Sequence, residues 1–147
     1  MSTIINSFTD EYFFLSNFYE CPINFDGLTY GSNEAAFQAQ KCADAKGRVA
    51  FTTLNPTESK KLGREINLRK DWEEVKIGLM EQIVAAKFSQ HPDLMQKLLN
   101  TGDAYLEEGN TWGDRVWGTV NGSGANNLGR ILMGVRQRAR EERMQST

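Results

Sequence analysis

Hydrophobic and polar residues follow a strand-like pattern at the start of this chain and a helical pattern over most of the rest. The first 30 residues are rich in aromatic side chains and lack a helical period. Residues 23–25 and 28–30 alternate on either side of Asp26-Gly27, which predicts a β-hairpin because both turn positions need a positive φ. Ser32 follows as an N-cap, so a helix is expected from Asn33 to Cys42.

Two helices in the middle of the chain have well-marked starts. Asn55 offers an N-cap, Pro56 suits the first helical position, and Glu58 completes a capping box. Asp71 begins a second helix, which is expected to run to about Gln90. Apolar residues at helical spacing are expected to form its core stripe: Trp72, Val75, Leu79, Ile83 and Ala86.

Two further helices are predicted in the last third of the chain. Pro92 begins a short helix that Gly102 ends. The final helix is expected to start near Asn127 and to fray after Arg140. Between these helices, residues 104–125 are rich in glycine and carry little helical signal.

These elements predict an α+β fold, since helices and a few antiparallel strands do not alternate as βαβ units. The chain of 147 residues is long enough to bury a core of its own. We expect one compact domain over residues 1–147, mainly helical, with a small antiparallel sheet or hairpin near the N-terminus. Residues from about 141 to 147 are expected to be frayed.

The scarcity of histidine and cysteine excludes several classes of enzyme. With His91, Cys21 and Cys42 as the whole supply, the chain cannot form a three-histidine, a four-cysteine or a two-cysteine, two-histidine metal site. A Ser-His-Asp triad would have to use His91, which is instead expected to cap a helix beside Pro92. Carboxylates, amides, lysine, arginine and aromatic residues remain as candidates for catalysis.

Charge and hydropathy bear on the cellular setting. The net charge is −2 and the isoelectric point is about 5.5, so no global basic field attracts the chain to nucleic acid or to a membrane. No apolar stretch is long enough to span a bilayer, and no signal peptide opens the sequence. Two free thiols favour a reducing compartment, so a cytoplasmic protein without a membrane partner is expected.

The strongest candidate for chemistry is Glu34. Glu34, Phe37 and Lys41 fall on one face of the predicted helix. Phe37 is expected to face the core and to take the two charged residues with it, at a cost in desolvation unless they are paired or used. Glu34 is then an active-site acid with Lys41 as its electrostatic partner. The alternative is a surface carboxylate that stabilises the helix dipole.

Two glycine-rich segments could hold a ligand. Trp112, Asp114 and Trp117 lie in the first, which could stack a base and present a carboxylate or could be a structural loop with tryptophan anchors. Residues 121–130 form the second, where a helix begins at Asn127. That helix terminus could bind a phosphate, or the segment could be an ordinary capped turn.

The order of motifs resembles the NADAR, or YbiA-like, family over nearly the whole chain. The matching segments are FLSNF (14–18), SNEAAFQAQK (32–41), GR (63–64), LRKDW (68–72), KF (87–88), LNTG (99–102), LEE (106–108), WGDRVWG (112–118), NLG (127–129) and LM (132–133). The resemblance implies an α+β domain that acts on N-glycosidic bonds between ribose and a nitrogen base. Its substrates would be phosphorylated ribosylaminopyrimidine intermediates of riboflavin synthesis or ADP-ribosylated guanine in DNA or RNA.

The resemblance also implies roles for individual residues. Glu34 is the leading catalytic acid residue, and Asp114 would orient the ribose or assist proton transfer, unless Glu107 or Glu108 takes that part. A carboxylate can stabilise an oxocarbenium ion or activate water, so neither a metal nor another cofactor is expected. The expected substrate-binding residues are Asn17, Lys41, Arg64, Arg69, Trp72, Lys87, Trp112, Trp117 and Asn127.

A non-catalytic module that binds ADP-ribose or a related nucleotide is the competing hypothesis. A pure phosphate binder would gain nothing from a buried negative charge, so the carboxylate at Glu34 favours the enzyme. The sequence does not specify an oligomeric state.

Overall fold

The chain folds mainly into helices and also contains two short pairs of strands. The computed structural model describes residues 3–145. These residues divide into two compact units, which are described separately. The central unit comprises residues 17–90, and the terminal unit comprises residues 3–16 and 91–145.

The central unit opens with the predicted hairpin. Strand β2 (Glu20–Phe25) pairs antiparallel with β3 (Leu28–Ser32). Asp26 and Gly27 form the turn with φ angles of 49° and 85°, which is the conformation that a two-residue hairpin turn requires. Ile23 is fully buried at the inner face of β2. The hairpin prediction is therefore confirmed.

Helix α1 (Asn33–Ala39) follows β3 directly and is buried on every side. Its N-cap is the predicted one, because the Ser32 hydroxyl accepts a hydrogen bond of 3.1 Å from the Ala35 amide. The helix ends three residues before Cys42, the predicted end. The face of Phe37 is buried as expected, but the other faces of the helix are buried as well. Alanines on the other faces let neighbouring elements approach the helix closely on all sides.

The next elements pack around α1. A short helix α2 (Ala45–Arg48) and a 3-10 helix (Val49–Thr53) were not predicted. Helix α3 (Pro56–Gly63) packs against α1 and carries the predicted capping box, in which Asn55 and Glu58 exchange hydrogen bonds of 2.8 and 3.0 Å. This start is confirmed.

Helix α4 (Trp72–Gln90) has the predicted bounds but not the predicted core stripe. Trp72 and Ile83 are buried as expected, whereas the other three expected core residues are only partly buried. The buried positions that the stripe missed are Met80, Val84, Lys87 and Phe88. The observed stripe differs from the predicted one because Lys87 occupies one of the buried positions. A charged residue there interrupts the apolar pattern that the sequence would otherwise show.

The terminal unit contains the remaining elements. Strand β1 (Ile4–Ile5) pairs with β4 (Tyr105–Leu106) in parallel, a pairing that the expectation of antiparallel strands missed. A 3-10 helix (Asp10–Leu15) follows β1. Helix α5 (Pro92–Asn100) packs against α6 (Asn127–Gln145).

The boundaries of the last two helices largely match the predictions. His91 is the N-cap residue of α5, and Gly102 lies just beyond its end with a φ of 63°. Helix α6 starts at Asn127 as predicted but continues past Arg140 to Gln145. Residues 146 and 147 lie outside the described residues. Helices and a small antiparallel sheet together confirm the α+β fold class, and within residues 3–145 no helix has the length and hydropathy to cross a membrane.

Candidate active site

Glu34 lies near the start of α1 in the central unit, and only 9% of its surface is exposed. Its Oε2 atom accepts a hydrogen bond of 2.7 Å from Nε2 of Gln38, one turn further along the helix. Its main-chain amide donates to the carbonyl oxygen of Asn17 at 2.9 Å. The expected burial of the Glu34 carboxylate is therefore confirmed.

Asn17 supports the start of α1. Its Oδ1 atom accepts from Nδ2 of Asn33 at 3.3 Å, and its own Nδ2 lies 3.5 Å from the sulfur of Met80. With 8% of its surface exposed, Asn17 is a buried residue. Its side-chain amide is thus engaged within the protein, beside Glu34, and its contact with substrate stays a prediction.

Lys41 is electrostatically coupled both to Glu34 and to two further cations. Burial lowers the pKa of Lys41, and the charges of Arg64 and Lys60 lower it further, while Glu34 acts in the opposite direction. Lys60 and Arg64 lie one turn apart on and just after α3. No motif in the sequence indicates Lys60, because its place beside α1 depends on how α3 packs.

We call Glu34, Gln38, Lys41, Lys60 and Arg64 the Glu34 cluster. With three cations and one carboxylate, the cluster carries an excess of positive charge. Such an arrangement suits a ligand that carries phosphate beside a reacting centre of developing positive charge.

Trp72 lies beside Lys41 of this cluster. Its ring centroid lies 5.0 Å from that of Phe37, with the two planes inclined by 50°. The ammonium nitrogen of Lys41 lies 6.0 Å from the Trp72 ring centroid, within reach of a weak cation–π interaction. Trp72 is 6% exposed, so in this structure its ring packs in the core as well as facing Lys41.

The other two cations expected to bind substrate, Arg69 and Lys87, have contacts of their own within the protein. The Arg69 guanidinium forms a forked pair with Asp71 at 2.6 and 3.0 Å, which raises the pKa of Arg69. Lys87 is 1% exposed, and its ammonium lies 5.3 and 5.2 Å from the rings of Tyr19 and Phe88. Burial lowers the pKa of Lys87 to about 8. Lys87 is thus buried among aromatic rings, and its contact with substrate stays a prediction.

In the terminal unit, Asp114 shapes a turn. Its Oδ1 atom accepts hydrogen bonds from the amides of Val116 and Trp117 at 3.0 and 2.9 Å. The side chain of Asn110 binds both the amide and the carbonyl of Asp114. Trp112 is 63% exposed, and Trp117 is partly buried.

These contacts give a test of Asp114. We expect Asp114→Asn to keep the turn, because an amide oxygen can accept the same two hydrogen bonds, whereas Asp114→Ala should lower the free energy of unfolding by about 1–3 kcal/mol. Urea denaturation measures the difference. Activity of Asp114→Asn within a few-fold of wild type assigns the residue to the turn. A loss of about a hundredfold with full stability would instead assign its charge to catalysis.

The two alternative carboxylates have different surroundings. Glu107 accepts a hydrogen bond from the Thr119 hydroxyl through its side chain. The main chain of Glu108 donates to Oδ1 of Asn126 at 3.0 Å and accepts from the amide of Thr119 at 2.9 Å. Both residues therefore help to order the glycine-rich segment of the terminal unit.

The start of α6 is satisfied by the chain itself. The amide and the side-chain nitrogen of Asn127 both donate to the carbonyl of Val116, and the amide of Leu128 donates to that of Trp117. A Cβ on Gly129 would lie 2.0 Å from the carbonyl oxygen of Leu106, so the backbones here are in close contact. These donors are occupied, which argues against the phosphate cradle considered for this helix terminus.

The structure thus divides the expected site residues between its two units. The central unit brings Glu34 together with Lys41, Arg64 and Trp72, supported by Asn17. The expected residues that belong to the terminal unit are Asp114, Trp112, Trp117, Asn127, Glu107 and Glu108. Within residues 3–145, no three histidine, cysteine, aspartate or glutamate side chains converge as a metal site would require, and both cysteines are free.

The chain combines a mainly helical α+β fold with a buried carboxylate near lysine and arginine side chains. The model of the NADAR domain matches residues 5–140, and the chain belongs to the NADAR family. That match includes residues of both compact units. The resemblance in the ordered motifs is therefore confirmed.

Individual relatives are similar over most of this chain. N-glycosidase YbiA of Escherichia coli (strain K12) is 42% identical over 141 residues, which cover 92% of this chain and 88% of that protein. Riboflavin biosynthesis protein VVA0006 of Vibrio vulnificus is 38% identical over 132 residues, which cover 87% of this chain and 36% of that protein. The NMR structure of E. coli YbiA matches with a TM-score of 0.86 at 40% identity, covering 98% of this chain and 89% of that one.

Proposed function

We propose that this protein is an N-glycosidase that hydrolyses the bond between C1′ of a phosphorylated ribosyl group and a nitrogen base. The observation that carries the proposal is the buried Glu34 carboxylate, held by Gln38 and coupled to Lys41, whose own charge interacts with those of Lys60 and Arg64. The names of the N-glycosidase relatives support the same reaction class.

The carboxylate supplies what this reaction needs. As the C1′–N bond breaks, its electron pair moves to the base nitrogen and positive charge develops on the ribose. Glu34 stabilises that charge or removes a proton from the water whose oxygen bonds to C1′. The departing base takes up a proton, so the products are a free base and a ribosyl group with a hydroxyl at C1′.

The cations supply the binding of the substrate. Lys41, Lys60 and Arg64 attract a phosphate, and their charge also offsets the cost of keeping Glu34 ionised while buried. Direct hydrogen bonds between cations and phosphate contribute about 1.5–3 kcal/mol each. Phosphate binding therefore positions C1′ beside the carboxylate.

Two substrates carry this chemistry. A phosphorylated ribosylaminopyrimidine is the first, and it is favoured by a relative named as a riboflavin biosynthesis protein. ADP-ribosylated guanine in nucleic acid is the second, since it presents the same type of bond next to a diphosphate. A module that only binds ADP-ribose is disfavoured because a buried carboxylate repels phosphate.

The test is to incubate the protein with each substrate and to quantify the free base by chromatography. We expect turnover of at least one of them, unchanged by a metal chelator. Removing the phosphate from the ribosylaminopyrimidine should raise KM by about tenfold or more. Saturable binding of both substrates without release of base would overturn the enzyme proposal in favour of a binding module.

A further inference from the structure

Gln38 makes one hydrogen bond through one end of its amide and none through the other. The residue is 6% exposed, and its Nε2 atom donates to Oε2 of Glu34 at 2.7 Å. Its Oε1 atom is buried and has no hydrogen-bond partner among residues 3–145. An unsatisfied buried acceptor destabilises the fold, and an apolar side chain of the same shape would avoid that penalty.

Gly63 lies against the end of the amide that lacks a partner. A Cβ built on Gly63 would come within 1.9 Å of Oε1 and 2.8 Å of Cδ of Gln38. Gly63 ends α3 with a negative φ, so a glycine is not needed there for its backbone conformation. The glycine is needed because the Gln38 amide occupies the space in which a side chain would start.

The orientation of the amide is fixed by charge. Turning it over would place Oε1 2.7 Å from a carboxylate oxygen, and two acceptors repel each other at that distance. The NH₂ group therefore faces Glu34, and the oxygen faces Gly63.

We propose that Gln38, seated against Gly63, is a positioning residue that orients the Glu34 carboxylate and favours its ionised form. The proposal rests on the function proposed above, and it adds two residues that do not touch the substrate. A hydrogen bond from an amide to a carboxylate stabilises the charged form. It also limits rotation of the side chain, which keeps the carboxylate aimed at the reacting centre.

Gly63→Ala tests the proposal without altering Gln38. The atoms that clash with the new methyl group are the far end of a flexible side chain, so Gln38 can move aside while the fold is kept. Alanine also has a higher helix propensity than glycine. Gly78→Ala in α4 is the matched control, because a Cβ there meets no described atom within 4 Å.

We expect Gly63→Ala and Gln38→Met each to lower kcat by about tenfold or more, with KM nearly unchanged. The acidic limb of the pH–rate profile should move to higher pH in both. The Gly63→Ala, Gln38→Met double variant should be no slower than the slower single variant. Wild-type kinetics and an unshifted profile in both single variants would overturn the positioning role while leaving the proposed function intact.

An NMR titration checks the same contact independently of activity. In wild type and in Gly78→Ala, the side-chain amide resonance of Gln38 should shift as Glu34 titrates. In Gly63→Ala and in Glu34→Gln, that shift should be lost. A Gln38 resonance that ignores pH in wild type, or that responds equally in Gly63→Ala, would overturn the proposal even if no substrate is turned over.

Discussion

Replacing Glu34 with glutamine is expected to lower kcat for release of the base by about a hundredfold or more. Glutamine has nearly the same shape, and its amide oxygen can still accept the hydrogen bond from Gln38. The substitution removes the negative charge that stabilises the developing oxocarbenium ion, and it removes the group that can activate water. The change therefore isolates the charge from the packing of α1.

Substrate binding should survive this substitution. The three cations of the Glu34 cluster are unchanged, and the loss of a neighbouring carboxylate removes repulsion against phosphate. We expect Kd in Glu34→Gln to be equal to or lower than that of the wild type, measured by calorimetry. Urea denaturation checks that the fold is retained.

Glu81→Gln is the matched control, since it removes the same charge from an exposed position on α4 of the same unit. Its kcat and KM should match those of the wild type, because a solvent-exposed charge interacts weakly with its surroundings. Equal activity in Glu34→Gln and Glu81→Gln would remove Glu34 from the mechanism, and the chemistry would then need another carboxylate.

The parts of this fold that were predictable are those specified by neighbouring residues. The hairpin follows from Asp26-Gly27, whose positive φ angles depend on two residues alone. The starts of α1 and α3 follow from Ser32 and Asn55, because a capping side chain bonds to an amide three residues away. The burial of Glu34 was expected from its helical spacing to Phe37, but every face of α1 is buried, so that spacing alone does not single Glu34 out.

What the sequence did not predict depends on contacts between distant segments. Strands β1 and β4 are two residues long and about a hundred positions apart, too short to carry an alternation pattern. Lys60 joins the Glu34 cluster only because α3 packs against α1. The close approach of Gly63 to Gln38 arises from the same packing, and no spacing in the sequence indicates it.

The predicted core stripe of α4 was wrong for a chemical reason. A search for apolar residues at helical spacing counts lysine as polar, so it passes over the buried position of Lys87. Lys87 is 1% exposed and lies among aromatic rings. Its long aliphatic stem can occupy a core position, but its ammonium must then leave water. Lys87 therefore occupies a core position, but burying its ammonium group costs desolvation free energy that an apolar side chain would not incur.

Lys87→Met is accordingly expected to raise the free energy of unfolding at pH 7 by about 1–3 kcal/mol. Burial lowers the pKa of Lys87 to about 8, against an ordinary value of 10.5. Folding thus has to hold a charged group where the charge is disfavoured. Cation–π contacts with Tyr19 and Phe88 offset part of that cost. Urea denaturation at pH 7 measures the gain.

The same shift fixes how stability depends on pH. Between pH 8 and 10.5 the unfolded chain keeps the proton on this lysine and the folded chain releases it, so wild-type stability contributed by Lys87 rises with pH across that window. Lys87→Met should lack this rise, while Lys61→Met, at an exposed site on α3, should retain it and stay within about 0.5 kcal/mol of wild type.

A charge retained in a core at such a cost is typical of a functional site, so release of base should fall in Lys87→Met as its stability increases. A less stable Lys87→Met variant would show that the buried ammonium makes a net favourable contribution to the fold.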